Sequence, residues 1–237
     1  VDFIGNLPAV IFYPSDINMI TGSPSLRRWH LDLSLAQIDP NYKRALTLYE
    51  QILTNRNRVL KRIREGHGGL DELKYWVDEL IKYGDILSQS RMAFLEFLSN
   101  LETPLGSFRF LYLKNELSDE RINKYNGREV AAAVTLIGPH RDDFVVQIRN
   151  SKFEMSNLPS AERNLAKFGS RGEQRTATLA FKLGSLEYMG LSTGKRPILL
   201  LDDVFSELDA EHRAHVVEVV SRQQTIIATV ELENIPK

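Results

Sequence analysis

The sequence predicts an α/β lobe interrupted by an all-α arm, and three observations lead there. An apolar run at residues 198–201, a helical stretch at 209–221 and a second apolar run at 225–230 follow one another. Strand, helix, strand in that order implies a parallel pair with a right-handed crossover. Two long stretches between residues 39 and 101 repeat apolar residues every seven positions, the spacing that keeps one helical seam facing a partner. A further apolar run at residues 9–13 precedes those helices, so the arm divides an α/β lobe in two. The predicted division is residues 1–23 as the end of one lobe, 24–104 as the arm, and 105–237 as the second lobe.

Composition narrows the class. The 237 residues are 43% hydrophobic and 26% charged, with a net charge of −1, ordinary for a globular protein. No apolar run reaches the roughly 18 residues of a membrane span. The first residues lack the basic start and long apolar stretch of a signal peptide. With no cysteine, disulfides and thiolate metal sites are excluded. These features favour a cytoplasmic location. A net charge near zero means that any nucleic-acid contact must come from a local patch. The chain opens on Val1 and closes on Lys237 just after a strand-like run, and the expectation is a piece of a longer protein.

The elements follow in order. Residues 9–13 read as a buried strand. Ser23-Pro24 starts a helix to about Gln37, with Ser as cap and Pro at the first position. Asp39-Pro40 starts a second, to about Glu65, which Gly66, Gly68 and Gly69 end. A third runs from about Asp71 to Leu101, before Pro104 and Gly106. Leu46, Leu53 and Leu60, with Tyr49 and Ile63 between, form the seam of the second helix. Leu73, Leu80, Leu87, Phe94 and Leu101, with Val77 and Leu98, form that of the third. A Gly-rich turn between the two implies an antiparallel pair. Arg56, Gly84 and Arg91 fall at seam positions, which argues against a long, dry coiled coil. Residues 108–113 read as a strand, 119–133 as a helix, and 143–149 with 152–155 as a hairpin through Asn150-Ser151. A helix over 173–191 precedes the terminal strand–helix–strand.

The chemistry concentrates in the second lobe. Pro197-Ile198-Leu199-Leu200-Leu201-Asp202-Asp203 is an apolar strand ending in paired carboxylates, the Walker B pattern. Such a strand delivers its acids to the carboxyl edge of a sheet, where ligands collect. There Asp202 can hold Mg²⁺ and Asp203 can polarise an attacking water. A core strand followed by a helix cap would read the same way if it stood alone. Ser206-Glu207-Leu208-Asp209 follows, fitting the D-loop of ABC-type ATPases; Asp209 also suits a helix cap. Upstream, Phe168-Gly169-Ser170-Arg171-Gly172-Glu173-Gln174-Arg175 opens a helix and is similar to the ABC signature. Gly172 lets backbone approach an anion, Ser170 offers a hydroxyl, and the helix mouth supplies free amides and partial positive charge. Signature, Walker B and D-loop in this order and spacing are far more specific than any one of them.

With those motifs the sequence resembles the RecF family of bacterial recombination proteins, within the SMC-like branch of ABC ATPases. The resemblance rests also on Gly138-Pro139-His140-Arg141-Asp142-Asp143, on Phe12-Tyr13-Pro14-Ser15-Asp16-Ile17, and on Gly22-Ser23-Pro24 with Arg27-Arg28. It extends from about residue 9 to 236. It implies a P-loop NTPase fold of ABC type and a homodimer closed by ATP with Mg²⁺. In that dimer Ser170, Arg171, Gly172, Glu173 and Gln174 would act in trans, and Asp202 and Asp203 in cis. It also implies DNA as a partner, single-stranded, gapped or at junctions, RecR-type mediator proteins, and a role in recombinase loading. Thr229 occupies the switch position, where the family usually places Thr. Ser15 stands where Glu is usual, and Arg171-Gly172-Glu173 where Gln-Gly-Gln is commoner. Asp203 in place of a catalytic Glu suits a slow ATPase that times a clamp.

No Gly-x-x-x-x-Gly-Lys-Ser/Thr occurs in the sequence, so the phosphate-gripping Walker A loop is absent. By the resemblance it lies upstream of Val1, and the chain alone is expected to bind ATP weakly and to be inactive as an enzyme. Gly194-Lys195 is misspaced for that motif and reads as a surface turn. For DNA, residues 41–64 carry seven basic residues (Lys43, Arg44, Arg56, Arg58, Lys61, Arg62, Arg64) against one acid, Glu50. Such a stripe can replace counterions on phosphate without reading bases, although a solvated helix face would look the same. Arg27 and Arg28 could also face DNA or nucleotide. Five scattered histidines offer no zinc spacing, and Arg141 with Asp142 is read as a structural or nucleotide-sensing network. Two other readings stay open: a different SMC-like ATPase, and a catalytically silent module that binds DNA or protein.

Overall fold

The structure is a computed structural model that describes residues 5–148, 164–205 and 210–229. Strand β1 (Ala9–Phe12) alternates half-buried and buried residues and leads through a 3-10 turn, Pro14–Ile17, into the short α1 (Asn18–Thr21). Ser23 then caps α2 (Pro24–Ala36), its Oγ accepting from the Leu26 amide, and Asp39 caps α3 (Pro40–Arg64). Both helices carry Pro at the first position, where its missing N–H costs no hydrogen bond. Gly66 (φ +81°) and Gly68 (φ +134°) turn the chain toward α4 (Lys74–Asn100). The two long helices pack along their length as the seven-residue spacing predicts.

The seam is not dry. Arg56 and Arg91 are fully buried beside Tyr42, Tyr49, Leu60, Leu80 and Leu87. Gly84 is small because the partner there is not α3: a Cβ at this position would meet Leu117 at 3.0 Å and Pro139 at 3.3 Å.

Strand β2 (Phe108–Leu113), helix α5 (Asp119–Ala132) and strand β3 (Asp143–Ile148) follow. β2 and β3 pair antiparallel, Phe108 opposite Ile148 and Leu113 opposite Asp143. The second half of the hairpin expected for β3, residues 152–155, lies outside the described residues. The β2–β3 pair packs on α4 and α2, with Phe110, Phe144 and Phe181 in mutual ring contact.

The short α6 (Leu165–Phe168) and the long α7 (Arg171–Thr193) precede β4 (Ile198–Asp202), α8 (Ala210–Val220) and β5 (Thr225–Ala228). A parallel three-stranded sheet runs in the order β1-β4-β5. Thus β1, from before the arm, lies against β4 from the end of the chain, Phe12 opposite Leu201. The arm is inserted between strands of one sheet, and the fold is α/β with a helical insertion. Helix α7, buried from Ala177 to Leu186, packs on β1 and on α4 and so joins sheet to arm.

Candidate functional site

Parallel register brings the twin acids to one edge. Asp202 is the last residue of β4 and lies opposite Ala228 in β5. The Asp203 amide donates to the Ala228 carbonyl at 2.9 Å, so Thr229, the next residue, continues from the same edge. Both aspartates are half-buried. Asp203 has φ +47°, a left-handed conformation that Asp tolerates better than most residues. Such backbone concentrates at functional sites, because surrounding structure must hold it. Two adjacent carboxylates at a carboxyl edge suit Mg²⁺, which needs only one or two protein carboxylates when phosphates and water complete its shell. Among the described residues, no group of three or more His, Asp or Glu could cage a metal on its own. Ser206 and Asp209 of the predicted D-loop lie outside the described residues.

The signature segment is open to solvent. Ser170 caps α7: its Oγ accepts from the Glu173 amide at 3.2 Å, and the Glu173 carboxylate accepts from the Ser170 amide at 2.7 Å. This capping box satisfies two amides reciprocally. Ser170, Arg171, Gly172 and Glu173 are all exposed, and nothing lies within 4 Å of where a Gly172 Cβ would sit. Gln174 departs from its predicted role as a nucleotide ligand. It is buried, and its Nε2 donates to the carbonyls of Leu165 (3.0 Å) and Gly169 (3.2 Å). It ties α6 to the mouth of α7 from beneath, because a buried amide must find partners.

The basic stripe divides. Arg58, Lys61, Arg62 and Arg64 are exposed; Lys61 reaches Glu65 at 4.0 Å and Arg62 reaches Glu72 at 3.4 Å, surface pairs of small energy. Arg56 leaves the stripe. It is 0% exposed, pairs with Glu129 at 2.6 Å and donates to Thr135 Oγ1 at 2.7 Å. Arg56 faces α5 of the following lobe rather than solvent. Arg27 is likewise spent, donating through both Nε and Nη2 to Asp143 at 2.6 and 2.9 Å. Arg28 donates to the Asp142 carbonyl at 2.7 Å.

The Gly138–Asp143 block organises this interior. Gly138 has φ +118°, and a Cβ there would meet Tyr49 Oη at 2.7 Å. Asp142 is 0% exposed. It accepts from the Asn115 amide at 2.6 Å, from Tyr112 and from Ser88, and it lies 3.5 Å from Arg91. Arg91 also holds Asp32 at 2.8 Å and the Pro139 carbonyl at 2.8 Å. The Asp142 half of the predicted network is therefore structural, whereas Arg141 is exposed. His140 is structural as well: Nδ1 bonds Tyr49 Oη at 2.8 Å, Nε2 bonds the Thr135 carbonyl at 3.1 Å, and burial holds the ring down at about 4.

A second buried cluster escaped the sequence reading. Lys182 Nζ, on α7, contacts Asp16 at 2.9 Å and donates to the Ile11 carbonyl at 2.8 Å. His30 of α2 lies 3.9 Å from Asp16; burial and then the Lys182 ammonium hold its ring at about 4. The signal was a lysine inside the apolar run Ala177–Leu186, but no neighbour in sequence names its partner.

No protein-family model matches the chain. Curated relatives named DNA replication and repair protein RecF do. That from Herpetosiphon aurantiacus is 38% identical over 99% of this chain and 62% of its own length. That from Roseiflexus castenholzii is 37% identical over 96% and 62%. The chain thus spans a little under two thirds of these relatives. Two solved structures of the recombination mediator protein RecF in the RecFOR pathway also match. The one with ATP has a TM-score of 0.81 at 31% identity, covering 98% of this chain and 64% of that one. The one with ATPrS has a TM-score of 0.81 at 30% identity. Sequence similarity and fold similarity extend over nearly the whole chain, and the chain belongs to the RecF family, with an ABC-type ATPase fold.

Proposed function

We propose that this chain supplies the signature and Walker B portions of a RecF-like, DNA-repair ATPase of the cytoplasm. Asp202 would hold Mg²⁺ when it is bound, Asp203 would orient the attacking water, and Thr229 would sense the γ-phosphate from the neighbouring strand. Ser170, Arg171 and Gly172 offer amides, hydroxyl and positive charge to ATP held by a second copy, closing a homodimer. Glu173 acts by fixing Ser170 through the capping box. Ser206 and Asp209, outside the described residues, are assigned to the D-loop on the resemblance alone. Arg58, Lys61, Arg62 and Arg64 contact DNA phosphates, single-stranded or at gaps and junctions, upstream of recombinase loading, with RecR-type mediators as partners. The arm at residues 24–104 and the lobe at 105–237 are the working units.

The observation behind this reading is the convergence of Asp202, Asp203 and Thr229 at the carboxyl edge of the parallel sheet. The RecF structure with ATP supports the choice of nucleotide. When bound, Mg²⁺ supplies charge neutralisation on the transferring phosphoryl group. The test is Asp203→Asn in the full-length protein. Turnover with DNA and ATP should fall by about 100-fold, the size of a lost proton-transfer or water-positioning group, with ATP binding retained. Unchanged turnover would refute the assignment.

A further inference from the structure

Helix α7 carries the signature at its mouth and, three turns further on, the buried Lys182. A single buried cation here joins α7 to two other elements. It meets the Asp16 carboxylate from the 3-10 turn at 2.9 Å, and it donates to the backbone carbonyl of Ile11 in β1 at 2.8 Å. Asp16 is fixed in turn, accepting from the Tyr13 amide at 2.9 Å. His30 of the arm's first helix completes the ring of neighbours. Ile11 lies opposite Leu200, two residues before Asp202. The contact therefore joins the helix that carries the signature to the strand beside the twin acids.

Hydrophobic packing alone would hold α7 on the sheet, but it tolerates sliding, since apolar contact has no direction. A lysine taken out of water is costly unless paired and hydrogen-bonded. Its geometry is thus narrow, and a shift of α7 along β1 would strand the charge. Buried ion pairs add little net stability against an apolar pair of similar volume, so their presence here calls for another role.

We propose that the Lys182–Asp16 pair is a positioning device that sets the height of the signature mouth relative to the sheet edge. The proposal rests on the clamp reading above. Neither residue touches nucleotide; each acts through the placement of Ser170 and Gly172 against the ATP of the second copy.

The test uses the full-length protein and reads two quantities, thermal midpoint and the ATP concentration giving half-maximal dimer by light scattering. The variants are Lys182→Met with Asp16→Asn together, and Lys182→Arg alone. The neutral pair leaves no unpaired buried charge, so its midpoint should stay near the parent's. Its half-dimerisation concentration should rise about tenfold or more, the size of an ordinary coupling between sites, with fluorescent-ATP binding to the monomer unchanged. The arginine variant keeps the charge with altered reach and should fall in between. A neutral pair that dimerises like the parent overturns the proposal. If the neutral pair does not fold, Lys182→Arg decides: an unchanged half-point overturns the proposal and a raised one supports it. A parent that fails to dimerise with ATP overturns the clamp reading itself, and the device with it.

Discussion

The arm and the sheet edge both hold charged groups, and they hold them in opposite ways. In the arm, Arg91 is closed in by Asp32, Asp142, Tyr42 and a carbonyl, and Arg56 by Glu129 and Thr135. At the sheet edge, Asp202 and Asp203 are half-buried at a strand end, and Ser170 to Glu173 are exposed at a helix mouth. Charges paired within the interior specify a fold. Charges set at an open edge, on backbone that the fold holds in place, are the ones the proposed function assigns to a ligand. A buried arginine and an exposed one in the same helix, Arg56 and Arg58, therefore belong to different parts of the account.

The comparison is broken most directly at Arg91. Arg91→Ala strands two carboxylates, of which Asp142 is fully buried, and should cost about 3–5 kcal/mol of stability. Chemical denaturation measures it, and a loss below about 1 kcal/mol would mean that the network behaves like a surface pair. Next comes pH. His30 and His140 are held at about 4 by burial, below their ordinary 6.5, so they stay neutral in the folded chain. Unfolding frees them to take up protons between those values. Stability present above pH 6.5 should therefore decline as pH falls toward 4, by up to about 1.4 kcal/mol per pH unit for each ring. His140→Gln should remove one ring's share of that slope; an unaltered slope would contradict the assignment. The smallest effect is at the open edge. Ser170→Ala removes a cap worth about 1 kcal/mol. If the edge is built for a ligand, the same change in the full-length protein should weaken ATP-driven dimerisation by more than that stability loss accounts for.

Much of the fold was legible because its signals are local. The caps Ser23 and Asp39, the Gly66–Gly69 turn, the seven-residue seam and the apolar strands all act within a few residues of themselves. The observed α-helices of the arm agree with the predicted ones to within three residues, the largest difference being at the start of α4, where residues 70–73 form a 3-10 turn. The placement of the candidate residues at a helix mouth and a strand end was legible where a motif is contiguous, as in residues 170–173 and 202–203. It was misread at Arg56 and Gln174, because helical spacing says which side a residue takes but not what lies on that side. Arg56 meets α5, which arrives some 70 residues later in the chain; Gln174 meets α6 beneath its own helix.

The sequence by itself determined the helices, the strands, the inserted arm and the acid-tipped strand beside a glycine-bearing helix mouth, because periodicity, capping and motif spacing are properties of neighbouring residues. Only the tertiary structure decided which charges are spent. Lys182 finds Asp16 across more than 160 residues of chain, and Arg91 finds Asp142 across 51. The cost of an unpaired buried charge fixes such partners only once the chain has brought them together.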